Sequence, residues 1–191
     1  MFVLILGLIL FLGIHSVRIV APGWRDARFA AMGNGWRGLY SLVSAVGLVL
    51  IVWGYSLAWP TSPVLYDPPL WTKHVAALLM VFALVALSVS QFPGGKLKKM
   101  LKHPMLLSVK IWAFAHLLAN GELASILLFG SFLAWAVVDR ISLKRRGDMG
   151  PAVAGPVVWD VVAVGVGIVV YLLFVSGLHL WLFGVDPLAR A

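Results

Sequence analysis

Long apolar runs separated by short polar segments dominate this chain. Six such runs can be traced, at residues 1–20, 36–59, 71–92, 104–119, 122–138 and 157–183. Proline, glycine and Asn-Gly steps interrupt the chain between them, as expected of turns. A membrane-spanning helix needs about 20 apolar residues. The pattern therefore predicts an all-α fold, a polytopic membrane helix bundle of about six transmembrane helices, in a single domain over residues 1–191.

The fourth and fifth runs are short and meet at a polar tip, Asn120-Gly121-Glu122. Helices of roughly 16 or 17 residues extend about 25 Å, whereas the hydrocarbon layer is about 30 Å thick. We therefore expect the tip to lie below the membrane surface. It should be buried in protein or line a wet cavity, because lipid cannot satisfy a carboxylate.

The composition agrees with a membrane protein. Hydrophobic residues make up 62% of the chain and charged residues 12%, and the mean hydropathy is +1.00. A soluble domain is about half apolar and about a quarter charged. The absence of cysteine excludes disulfides, thiolate ligands and cysteine nucleophiles. No basic segment precedes the first apolar run, which favours a retained first span over a cleaved signal peptide.

The basic residues indicate how the spans are oriented. Of the 15 lysines and arginines, 12 fall after the first, third and fifth runs, namely Arg18, Arg25, Arg28, Arg37, Lys96, Lys98, Lys99, Lys102, Arg140, Lys144, Arg145 and Arg146. The positive-inside rule makes these three loops cytoplasmic and puts both termini on the outer side. This distribution also explains the net charge of +8 without a nucleic-acid partner.

Ionisable residues within membrane spans are functional candidates by default, although those near a helix end can reach water. A helix bundle that turns two histidines inward can hold a haem, each imidazole supplying one axial bond. His15 and His116 are the pair considered first, with Arg18 one turn after His15 as a partner for a haem propionate. The remaining candidates are Lys73, His74, Lys110, Glu122, Asp160 and His179.

The predicted depths of these histidines allow a second grouping. By helical rise, His15 and His116 differ in height by about 10 Å, which helix tilt or a later end of the first span would close. Depth alone instead groups His74, His116 and His179 near the outer side. Trp112 lies four residues before His116 and Asn120 four residues after it, so both share its helix face. They are therefore further candidates for binding the cofactor.

The segments GIHSVR, WRGLYSLVS and KHPMLLSVKIWAFAHLLANGELASILLF resemble the NnrU family. That family is an inner-membrane group linked to nitric oxide and denitrification, and its domain is shared with the ζ-carotene isomerases, which bind haem b. The resemblance covers nearly the whole chain. It implies a multi-pass protein of the bacterial inner membrane with both termini in the periplasm, and a haem b with His15 and His116 as iron ligands.

One position departs from the isomerase pattern. Those members carry a cysteine one turn before the second histidine, where this chain has Ala113, while the basic residue before the His-Pro step is present as Lys102. The departure argues against carotene isomerisation and against ligand exchange with a thiolate. The His-Pro step is also similar to isoprenylcysteine-type methyltransferases, but their acidic, tyrosine-containing cofactor segment is replaced here by DRISLKRRGDMGPAVAGP.

The resemblance therefore implies a haem b protein with a redox or nitric-oxide-linked role in denitrification, or with an isomerase-like function. Its candidate partners, besides the lipid bilayer, are a hydrophobic small-molecule substrate and a respiratory enzyme. The alternative is a non-catalytic accessory factor for maturation of a respiratory enzyme, with the histidines serving in packing. A small transporter is disfavoured by the lack of repeats and broken helices. Whether the chain is an enzyme, and its oligomeric state, stay open at this level.

The orientation can be tested with reporter fusions. Fusions after Trp59 and at the C-terminus should report the outer side, and fusions after Lys102 and Arg146 the cytoplasm, because each basic loop should be retained inside. A cytoplasmic C-terminus would contradict the count of six spans.

Overall fold

The structure is a computed structural model that describes residues 1–188, and its regular structure over this range is helical. The helices, in chain order, are α1 Phe2–Val20, α2 Pro22–Met32, α3 Asn34–Ala58, α4 Leu70–Gln91, α5 Lys96–Leu101, α6 Pro104–Ala119, α7 Leu123–Arg145, α8 Val158–Leu173 and α9 His179–Phe183. A 3-10 turn extends α3 through Trp59–Thr61, and a π-helical segment, Phe174–Leu178, joins α8 to α9. The fold class predicted from the sequence is thus confirmed as helical.

Five helical stretches in the described residues are long and apolar enough to cross a membrane. They are Phe2–Val20, Asn34–Thr61, Leu70–Gln91, Leu123–Arg145 and Val158–Phe183. The sixth expected span corresponds to α6, which has the predicted bounds and is a shorter apolar helix of 16 residues. The chain is therefore a membrane protein by helix length and composition, while six crossings and the side of each terminus stay predictions.

Contacts along the chain group into two compact units. Unit 1 contains Met1–Tyr66 and Glu122–Trp135, and unit 2 contains Asp67–Gly121 and the described residues from Ala136 onward. The boundary falls within α7, so this one helix contributes to both units.

In unit 1, α1 and α3 pack closely because glycines lie where the two backbones approach. A Cβ atom added at Gly47 would lie 2.7 Å from the backbone nitrogen of Phe11, and one added at Gly7 would lie 2.6 Å from that of Ile51. A Cβ at Gly54 would collide with the backbone nitrogen of Leu4. Small residues at helix contacts are typical of membrane bundles, where close packing replaces the hydrophobic effect as the driving force.

In unit 2, α4 packs against α6 and α8, and Asp160 of α8 determines where α5 begins. The carboxylate of this buried residue accepts the backbone N–H groups of Lys96 at 2.8 Å and of Leu97 at 3.0 Å. It thereby satisfies two of the amide groups that a helix start leaves unpaired. At the end of α4, the Lys98 ammonium donates to the carbonyl oxygen of Phe92 at 2.7 Å.

Three features differ from the sequence expectation. The fifth apolar run was expected to be short, but α7 continues through its basic segment to Arg145 and has 23 residues. Lysine and arginine in a last helical turn are favourable because the carbonyl end of a helix carries partial negative charge. The polar segments around Pro22–Met32 and Lys96–Leu101 were expected to be loops and are helices. Neither segment contains the long apolar run by which the other helices were predicted.

The close approach of α1 and α3 can be tested at one glycine. Gly54→Ala should lower the free energy of unfolding by about 1–3 kcal/mol, and with it the thermal unfolding midpoint. The added methyl group would meet the backbone of Leu4, which cannot rotate away as a side chain can. Gly38→Ala, in the same helix but facing open space, is the matched control and should leave the midpoint unchanged or slightly raised. Equal stability of Gly54→Ala and the wild-type protein would contradict this packing.

Candidate functional site

His15 lies on α1 inside a group of aromatic rings. Its ring stacks on Phe11 with centroids 4.3 Å apart, meets Tyr40 of α3 at 5.1 Å, and faces the edge of Trp135 of α7 at 5.9 Å. Its Nδ1–H donates to the carbonyl oxygen of Phe11 at 2.6 Å. Because a carbonyl can only accept, this bond fixes the proton on Nδ1 and, in the neutral ring, leaves the lone pair on Nε2.

Trp135, whose ring lies beside that of His15, carries an unpaired hydrogen-bond donor. Its indole Nε1 is buried and has no hydrogen-bond partner among the described residues. A buried N–H without a partner is costly, and native proteins rarely contain one. This N–H is therefore suited to a polar group that the polypeptide itself does not supply.

His116, in unit 2, makes the same hydrogen bond to its own helix as His15 does in unit 1. Its Nδ1–H donates at 2.8 Å to the carbonyl oxygen of Trp112, again four residues earlier, and its ring lies 5.4 Å from the indole of Trp112. In the neutral ring the lone pair is again on Nε2. Both histidines proposed as ligands therefore have the same fixed tautomer, which is the one that Nε2 coordination of a metal requires.

The other residues of the predicted site have different positions. The side-chain amide of Asn120 donates at 2.8 Å to the carbonyl oxygen of His116, so it caps the end of α6. Arg18 lies exposed in the last turn of α1. The structure thus supports a capping role for Asn120, and a contact of Arg18 or Asn120 with a cofactor stays a prediction.

The remaining histidines divide into three cases. His74 is exposed on α4. His179 donates from Nδ1 to the carbonyl oxygen of Val185 at 2.7 Å, and its grouping with His116 stays a prediction. His103 is bonded through Nε2 to the carbonyl oxygen of Asp148 at 3.1 Å, with the Asp148 carboxylate 3.6 Å away.

Within residues 1–188, no group of three or more histidine, aspartate or glutamate side chains is arranged to hold a metal ion. A haem makes a smaller demand, because the porphyrin supplies four of the iron ligands and the protein one or two.

The polar tip between α6 and α7 is packed by protein. Glu122 pairs with Val64 in an isolated antiparallel bridge, and the backbone N–H of Leu123 donates to the carbonyl oxygen of Pro63 at 2.9 Å. The hydroxyl of Ser62 accepts the N–H of Ala124 at 2.8 Å. The segment Ser62–Val64 thus covers the start of α7, and Gly121 is buried, whereas the depth of the tip in the membrane stays a prediction.

A hydrogen-bonded group of side chains continues inward from this tip. The hydroxyl of Ser125, a fully buried residue, donates to the Glu122 carboxylate at 3.1 Å and lies 2.9 Å from the hydroxyl of Tyr55. Partial burial, and secondarily the nearby Glu122 carboxylate, raise the pKa of Tyr66 above its usual value. Glu122 was predicted from the sequence, whereas Tyr55 and Ser125 were not, because a lone hydroxyl in an apolar helix gives no signal of its partner.

Comparison with protein families places the chain in a group already suggested by its motifs. The model of a family described as NnrU protein matches residues 3–187. The chain belongs to the NnrU family. The resemblance drawn from the His-Pro, Ala-His and Asn-Gly elements is thereby confirmed over nearly the whole chain. Comparison of this NnrU protein with curated proteins and with solved structures found no match.

The enclosure of the tip can be measured by thiol labelling, since the chain has no cysteine of its own. Cysteine introduced at Ser125 should react far more slowly with a membrane-impermeant maleimide than cysteine introduced at Leu65, because Ser125 is fully buried and Leu65 is 58% exposed. Denaturation should make both thiols reactive, which controls for their presence. Equal rates in the folded protein would contradict the enclosure.

Proposed function

We propose that this NnrU protein is a haem b-binding protein of the bacterial inner membrane with a redox or nitric-oxide-linked role, in which His15 and His116 would hold the iron. The observation that carries the proposal is the bond shared by the two histidines. Each donates its Nδ1–H to the carbonyl four residues earlier. Histidines that ligate metals through Nε2 usually make such a bond, which orients the ring and increases its basicity.

The surroundings of His15 support the same proposal. Phe11, Tyr40 and Trp135 form an apolar, aromatic wall around the imidazole. Such rings suit the faces of a porphyrin and exclude water from its iron. The unpaired N–H of Trp135 provides a hydrogen-bond donor for a polar group of a cofactor or for a molecule bound beside it. The residues present therefore suit a haem in donor chemistry and in polarity.

When bound, haem b would supply an iron that changes oxidation state and that would take a molecule such as nitric oxide in place of one of the two histidines. The chain's own contribution is to hold and tune the ligands. The carbonyl oxygens of Phe11 and Trp112 increase the electron donation of the two imidazoles, and Arg18 is proposed as a partner for a propionate. Ala113 is fully buried and has no thiol, so redox or nitric-oxide chemistry is preferred over isomerisation.

A second ligand pair has a specific observation in its favour. His116 and His179 both belong to unit 2, and both donate Nδ1–H to a backbone carbonyl. This pair would hold the same cofactor with one ligand exchanged. It therefore determines which variants must be compared.

The experiment compares histidine variants in protein purified from haem-replete cells. The wild-type protein should show a Soret band and the pyridine haemochrome spectrum of haem b. His15→Ala and His116→Ala should each lose haem or change from a low-spin to a high-spin spectrum, because each removes one strong iron bond. His103→Ala is the matched control and should keep the low-spin spectrum, because its Nε2 is already bonded to Asp148.

The outcomes separate the alternatives. If His179→Ala loses the low-spin spectrum while His15→Ala keeps it, the second pair replaces the first. If the folded wild-type protein contains no haem under these conditions, the proposal is wrong and a non-catalytic accessory role is the better account.

A further inference from the structure

A cluster of arginine and aromatic side chains lies where the chain passes from the first apolar helix to the second. We call it the α2 arginine cluster, and its members are Trp24, Arg25, Arg28, Phe29 and Arg37. The short helix α2 connects α1 to α3, and both of these are long enough to cross a membrane. The link between two consecutive spans must lie at a membrane surface, whichever side that is.

Helical spacing builds this cluster. Residues four apart lie on the same side of a helix, and this brings the Arg28 guanidinium over the ring of Trp24 at 5.4 Å and that of Arg25 over the ring of Phe29 at 5.1 Å. The first turn of α3 adds Arg37, whose guanidinium also lies over Phe29, at 5.2 Å. Two guanidinium groups thus share one ring.

The positive charge of the cluster is only partly balanced. Residues 18–37 contain four arginines and a single acidic residue, Asp26, which pairs with Arg25 at 2.8 Å. Arg28 and Arg37 have no ion pair with a carboxylate in the described part of the chain, although Arg37 makes a long hydrogen bond of 3.4 Å to Asn34. The cluster therefore attracts an anion, and Arg28 and Arg37 gain most from one, because Arg25 is already paired with Asp26.

The chemistry favours a phosphate group on a lipid. An arginine stacked on a ring keeps its in-plane N–H groups available, and these match two phosphate oxygens at once. The apolar side chains beside the cluster are exposed, Trp24 by 50%, Met32 by 45% and Val20 by 81%. Tryptophan beside basic residues at this level is typical of helices that lie in the headgroup region. A soluble anion would use the arginines and leave these apolar surfaces in water.

We propose that α2 is an interfacial helix that binds the headgroup phosphate of an anionic phospholipid through Arg28 and Arg37. Trp24 and Phe29 hold the guanidinium groups in place, and the lipid chains lie along the exposed apolar side chains of α1 and α2. This site is independent of the histidines and would anchor the first two spans at a defined depth.

The test uses the full chain in lipid nanodiscs of phosphatidylcholine, with and without phosphatidylglycerol. For the wild-type protein, phosphatidylglycerol should raise the unfolding midpoint, and native mass spectrometry should detect retained phosphatidylglycerol. Arg28→Gln should weaken this lipid binding about fivefold, the usual contribution of one basic residue near an anionic surface. Arg28→Gln together with Arg37→Gln should abolish the lipid-dependent rise, while the midpoint in pure phosphatidylcholine should match the wild-type value.

A matched control removes the same charge elsewhere. Lys144→Gln with Arg145→Gln alters two exposed basic residues at the end of α7 and should leave the effect of phosphatidylglycerol intact. If this control loses the effect equally, only net charge matters and the proposal is wrong. It is also wrong if inorganic phosphate alone reproduces the rise, or if Arg28→Gln retains phosphatidylglycerol like the wild-type protein. Arg28 is exposed, so Arg28→Gln should fold. If the double variant does not fold, the single variant tests the proposal.

Discussion

A helix leaves its first amide groups without partners of its own, and in this chain two helices find those partners in distant segments. The first amides of α7 are bonded by the carbonyl of Pro63 and the hydroxyl of Ser62. Those of α5 are bonded by the Asp160 carboxylate. These loops and side chains therefore have a structural purpose, and they determine where α5 and α7 begin.

The same constraint acts on the polar side chains within the helices. An imidazole in an apolar helix must place two nitrogens, and in His15 and His116 one of them is bonded to the backbone of its own helix. The helix thus provides a hydrogen-bond partner for one nitrogen of each ring, and no neighbouring helix is needed for that bond. This bond also fixes the proton on Nδ1, which is the tautomer that the proposed coordination through Nε2 would need.

The sequence predicted the apolar helices well, because their length and composition are set by the membrane and can be counted. The bounds of α6 were predicted to the residue, since Pro104 and Asn120-Gly121 mark both ends. Short helices such as α2 were missed, because eleven residues with mixed polarity give no apolar run. The partners of the site residues were missed for another reason. Trp135 comes next to His15 only through the packing of α7, and no spacing along the chain records that contact.

The Asp160 carboxylate has a consequence for how the protein is made. Its two amide partners, Lys96 and Leu97, precede it by 64 and 63 residues, so α5 leaves the ribosome long before the group that caps it. The start of α7, by contrast, is bonded by Ser62 and Pro63, which are synthesised earlier. During membrane insertion the beginning of α7 can therefore be completed as soon as it emerges. The turn around Gly95 must wait for α8, and it would be among the last parts of the chain to take its final form.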